Sequence, residues 1–108
     1  MPRASRPRPV VWSADAEEDL FQIWSYVARE ASRAIADSQA RAIKSACGRL
    51  RRLPFSGRPR DDLVPGVRSI LTGRYIVFYR VADKAVEIIR VFHGSRDLEA
   101  AFAAKPKP

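Results

Sequence analysis

Cysteine is nearly absent from this chain. Cys47 is the only one, so no internal disulfide can form, and such usage suits a reducing compartment. Histidine is as scarce, with His93 alone. A metal centre built on imidazole or thiolate needs several such ligands, so only carboxylate clusters are left to consider. No apolar run approaches the ~18 residues that cross a bilayer, and the opening MPRASRPRP lacks the apolar core of a secretion signal. Glycine forms no phosphate loop: Gly57-Arg58-Pro59 has neither Gly-rich spacing nor a helix after it. These absences leave a soluble cytoplasmic protein, with no metal and no cofactor, as the expectation.

A chain of 108 residues is one domain. At that length about 65% of the unfolded surface is buried, enough for folding without metal or disulfide. The net charge of +8 is spread unevenly, with acids concentrated in residues 10–30 and eight Lys or Arg against one acid in residues 31–60. Such a bias favours an acidic partner, whether nucleic acid or protein, although charge alone does not choose between them. Residues 1–9 hold three Pro and three Arg and read as a disordered basic tail. Residues 10–102 read as the folded domain, and 103–108 as a Lys/Pro tail.

The stretch Gly66–Asp97 organises the rest. It predicts three strands, Val67–Leu71, Tyr75–Val81 and Val86–His93, joined by the short turns Thr72-Gly73 and Ala82-Asp83-Lys84. Turns this short allow only antiparallel pairing. In the second strand Tyr75, Val77, Tyr79 and Val81 point one way, and Ile76 and Phe78 point the other. Both sides are apolar, whereas a strand with one wet face alternates apolar with polar. With one helical layer to cover one side, the other side is expected to be bare and to await a partner.

Upstream, Val10-Val11-Trp12 predicts a first strand. Ser13 or Asp15 caps a helix running to about Arg29, with Asp15, Glu17, Glu18 and Asp19 at its positive end. Leu20, Ile23, Trp24 and Val27 have the spacing of a buried stripe. The four acids suit the start of a helix better than a metal site, since no His or Cys accompanies them. Ser32 caps a second helix over Arg33–Leu53, stopped by Pro54. Its expected buried side is Ile35, Ala42, Ile43, Ala46, Leu50 and Leu53. Arg33, Arg41, Lys44, Arg51 and Arg52 fall on the opposite side and form a basic face open to a phosphate backbone or an acidic protein. The short link at Ala31-Ser32 makes the two helices an antiparallel hairpin. Pro54–Pro65 reads as a loop.

The order is therefore β-αα-βββ, an α+β fold with a helical hairpin on one face of an antiparallel sheet and a short apolar helix over LEAAF. Asp15–Tyr26, the Leu53-Pro54 exit with Gly57-Arg58 after it, the G-x-Y-x-V-x-Y run (Gly73, Tyr75, Val77, Tyr79) and the ending His93-Gly94-Ser95-Arg96-Asp97 together resemble the RelE/ParE toxin superfamily, over about residues 10–102. The resemblance implies a toxin of a type II toxin–antitoxin system, held silent by a cognate antitoxin in a higher-order complex.

Two activities follow from the resemblance. RelE-like members cut messenger RNA on the ribosome, while ParE-like members inhibit DNA gyrase and are not known as nucleases. RNA cleavage needs a base, an acid and a cation. The ribonuclease branch commonly places Arg directly after the Tyr of the G-x-Y run, where this chain has Ile76. Were it a nuclease, His93 would be the base, with Arg68, Arg90 or Arg96 as cation. The HGSRD ending and Ile76 favour the ParE-like branch, which has no catalytic residues. The antitoxin contact is expected at Tyr75, Val77 and Tyr79, or at Ile76 and Phe78, whichever side the helices leave open. The basic face is the expected target contact.

Overall fold

The computed structural model describes residues 6–103. Strand β1 spans Val10–Trp12, helix α1 Ala14–Glu30, α2 Arg33–Arg49, β2 Arg58–Pro59, β3 Val67–Thr72, β4 Tyr75–Val81, β5 Val86–His93 and helix α3 Leu98–Ala103. The strands form one sheet in the order β1-β5-β4-β3-β2. The fold is α+β with the expected helical hairpin and meander.

Local chemistry sets the boundaries. The Ser13 hydroxyl accepts from the Ala16 N–H at 3.0 Å and donates to the Ile89 carbonyl at 2.9 Å, so one side chain caps α1 and pins it to β5. Ser32 accepts from the Ile35 N–H at 3.1 Å and starts α2. The hairpin is clasped where Trp24 Nε1 donates to Asp37 Oδ1 at 2.8 Å. Gly73, at φ +59°, supplies the left-handed residue that the β3–β4 turn requires.

Five features depart from the sequence-based expectation. Helix α2 ends at Arg49, short of Leu53, because Leu50 and Arg51 donate to the carbonyls of Cys47 and Gly48, unwinding the last turn into tighter bonds. Leu53 is exposed as a result, and Ile35 and Ala42 also lie outside the core. The expected loop contains β2, whose Pro59 is tolerated at a sheet edge because it has no N–H to place. The sheet is mixed, since β1 pairs parallel with β5, which the long intervening chain permits. Finally, Arg8 and Pro9, expected in a disordered tail, bond to the fold. The Arg8 N–H donates to the Arg51 carbonyl at 3.0 Å and the Val86 N–H to the Pro9 carbonyl at 2.9 Å. The outer parts of both expected tails, residues 1–5 and 104–108, lie outside the described residues.

The core has two halves, one on each face of the sheet. On the helical side Leu20, Ile43, Cys47 and Leu50 meet Val77, Tyr79, Ile88 and Val91. Cys47 is 1% exposed, and burial pushes its thiol up from the ordinary 9.0 to about 12, against a weaker opposing pull from Arg49. The folded chain therefore keeps this proton where the unfolded chain loses it. Its contribution to stability is complete below pH 9 and declines as pH rises toward 12. We expect a maleimide to leave the native chain unlabelled at pH 8 and to label it in urea. Rapid native labelling would contradict the burial.

Candidate functional site

Strand β4 was expected to keep one side bare, and it does not. Val77 and Tyr79 lie under the helical hairpin, while Ile76 and Phe78 join Val67, Phe92 and Ala101 in the second half-core. The covering on that side is α3 together with Leu63 and Val64 of the loop before β3. Phe102 closes it by packing edge-on to Phe78 at 4.8 Å and to Phe92 at 5.4 Å between centroids. Six residues of helix suffice because Leu63 and Val64 of the loop share the covering. The expectation of an uncovered apolar face is thereby corrected. Of Tyr75, Ile76, Val77, Phe78 and Tyr79, only Tyr75 is not buried.

The four residues considered for RNA cleavage are not gathered into one site. Arg68 sits opposite Tyr79 and His93 opposite Tyr75, so the two are offset by four residues along β4, about 13 Å. Arg68 donates to the carbonyls of Gly57 at 2.7 Å and Phe55 at 3.3 Å, and its guanidinium lies over the Phe55 ring. It fastens the loop after α2. The neighbouring Tyr79 hydroxyl donates to the Pro54 carbonyl and accepts from the Gly57 N–H, each at 2.8 Å. A Cβ at residue 57 would collide with that hydroxyl, which is why glycine stands there.

Arg90 is held by Asp19. Its Nε and Nη2 donate to the two carboxylate oxygens at 2.8 and 2.9 Å, and the Val91 N–H donates to the same group at 2.9 Å. Those hydrogen bonds raise the Arg90 guanidinium above its ordinary value, although burial opposes them. A β-bulge makes the contact: Phe78 faces Arg90 and Tyr79 faces Ile88, so Ile89 has no partner and the strand turns Arg90 toward α1. Asp19 looked like one of four equivalent helix-start acids; its partner lies 71 residues away and left no local signal.

His93 is exposed, and its Nδ1 accepts from the Ser95 N–H at 3.0 Å. Since a backbone N–H cannot give up its role as donor, the neutral ring carries its proton on Nε2. Arg96 lies over the Phe92 ring at 4.9 Å. These two, with Arg74 and Tyr75, edge a groove of ≈ 630 Å³ between α1 and the end of β5. Arg33, Arg41, Lys44, Arg51 and Arg52 are all exposed, as expected, and form no ion pair among the described residues. No group of three or more His, Cys, Asp or Glu among the described residues is placed to hold a metal ion.

The family model for the ParE toxin of the type II toxin–antitoxin system parDE matches residues 10–98. The chain belongs to the ParE toxin family. It is 34% identical to Toxin ParE1 of Caulobacter vibrioides over 86% of this chain and 96% of that one. To Toxin ParE3 of the same organism it is 32% identical over 97% of this chain and 99% of that one. Among solved structures, the chromosomal ParDE system of P. aeruginosa superposes with TM-score 0.73 at 23% identity, covering 82% of this chain and 98% of that one. The RelBE2 toxin–antitoxin complex of Mycobacterium tuberculosis superposes at 0.59 with 28% identity, covering 81% and 98%. The fold shared with these ParE and RelE relatives is the hairpin-on-sheet arrangement described above. As a ParE family member the chain is a toxin of a type II system, and no helix of the described residues is long and apolar enough to cross a membrane.

Proposed function

We propose that this ParE toxin inhibits DNA gyrase without cutting nucleic acid, and that an acidic cognate antitoxin neutralises it. One observation carries the choice between the two toxin activities. Arg68 and Arg90, two of the three cations available for cleavage, are engaged in bonds that hold the fold together. Cleavage needs a cation free to meet charge as it develops on phosphorus. Arg68 and Arg90 are committed in the resting chain, and His93 stands about 13 Å along β4 from Arg68.

The exposed cations Arg33, Arg41, Lys44, Arg51 and Arg52 are the proposed contact with the gyrase–DNA complex, where phosphates and acidic protein surface both attract them. The antitoxin contact is proposed at Tyr75 and the exposed residues around it, since Ile76, Val77, Phe78 and Tyr79 are buried by this chain itself. The solved relatives carry the names of a toxin–antitoxin system and complex, which supports such a partner. A cytoplasmic location, where gyrase works, belongs to the same proposal.

Purified chain incubated with gyrase, ATP and relaxed plasmid is expected to block supercoiling. Replacing Arg41 and Lys44 with Glu is expected to weaken the block at least tenfold, because attraction becomes repulsion. Normal supercoiling at stoichiometric excess of the toxin would refute the gyrase reading.

A further inference from the structure

We propose that the groove between α1 and the His93–Arg96 turn binds a nucleoside monophosphate unit, with the phosphate on Arg74 and Arg96 and the base against Tyr26 and Tyr75. The groove is independent of gyrase inhibition.

The two cations are brought together by the fold. The Gly94 N–H donates to the Arg74 carbonyl at 2.8 Å, which ties the turn before β4 to the turn after β5. Neither Arg74 nor Arg96 pairs with a carboxylate among the described residues. Arg96 is already steadied over the Phe92 ring. Both arginines line the groove, and guanidinium groups are donors that phosphate oxygens accept in pairs.

The walls suit a flat ring. Tyr75 packs edge-on to His93 at 5.5 Å, and the exposed Tyr26 faces the same groove from α1. Arg74 and Tyr26 both lie close enough to the Tyr75 phenol to affect its ionisation, which burial raises first. Aromatic faces of this kind hold bases by stacking, largely without regard to sequence. The apolar floor comes from Ile23, Val27 and Val91.

The remaining polar groups are of the right kind. Gln39 Oε1 is buried on the groove wall and has no donor among the described residues, an omission that costs stability unless something supplies one. Every base carries an N–H able to do so. His93, with Nδ1 occupied, offers Nε2–H as a further donor. At ≈ 630 Å³ the groove lies within the range of small-ligand sites.

The test is an amide-shift titration of the full chain with AMP, UMP, adenosine and inorganic phosphate. Saturable shifts at Tyr75, His93 and Arg96 are expected with both nucleotides, more weakly with phosphate or adenosine. Arg74→Ala with Arg96→Ala is expected to weaken AMP binding at least tenfold, and Gln39→Leu about fivefold, while Lys84→Ala, on the exposed turn at the far end of β5, changes nothing. A 5′-phosphorylated single strand tells a strand end from a free nucleotide: equal binding assigns the unit to a strand, and its failure beside AMP binding assigns a free ligand. An unchanged melting temperature shows that the variants fold. No saturable binding, equal binding of phosphate alone, equal loss on Lys84→Ala, or displacement by a short poly-Glu peptide at the same affinity would each overturn the proposal.

Discussion

Replacing Asp19 with alanine is expected to cost about 3 kcal/mol of folding free energy, a large share of what a domain this size possesses. The carboxylate receives three hydrogen bonds, two from Arg90 and one from the Val91 N–H. Side-chain exposure is only 17% for Arg90 and 11% for Asp19, so water screens the pair poorly. Without Asp19 a guanidinium and a backbone donor are stranded at the bulge, and the loss comes mainly from those orphans. Replacing Asp19 and Arg90 together should therefore cost less than the two single losses added. Urea unfolding of both single variants and the double variant measures this coupling. A loss under about 1 kcal/mol for Asp19→Ala would mean that the pair is more hydrated than its geometry indicates.

The second large effect is expected at Phe78. This side chain is wholly buried beneath Phe102 and beside Phe92, so Phe78→Ala should cost about 4 kcal/mol through lost burial and the cavity left behind. Leu71, on the neighbouring strand and 75% exposed, provides the contrast. Leu71→Ala should change stability by about 0.5 kcal/mol or less. Similar small effects at both positions would mean that α3 does not cover the sheet. The comparison separates a closed second face from the bare one that alternation alone suggests.

The meander was readable because Ile, Val, Tyr and Phe crowd between turn residues, and Gly73 marks the β3–β4 turn in the residue itself. Both helix starts were readable for the same reason: Ser13 and Ser32 act on N–H groups three residues away. What could not be read depends on distance along the chain. The link from Asp19 to Arg90, the parallel pairing of Val10 with Val86 and the packing of Phe102 on Phe78 join segments that carry no local mark of one another. The LEAAF segment was legible as an apolar helix, yet whether its few side chains could close a sheet face is a question of area and geometry. The early end of α2 belongs with these, because Pro54 marked a stop but not the turn of tighter bonds before it.

The functional choice rests on Arg68 and Arg90 being held away from any reacting phosphate. The direct measurement is incubation of the purified toxin with ribosomes and messenger RNA, at the concentration at which it is expected to block gyrase supercoiling, followed by mapping of RNA ends. Intact messenger RNA, with the His93→Ala chain indistinguishable from the natural one, is the expected result. New RNA ends that vanish in the His93→Ala chain would contradict the account.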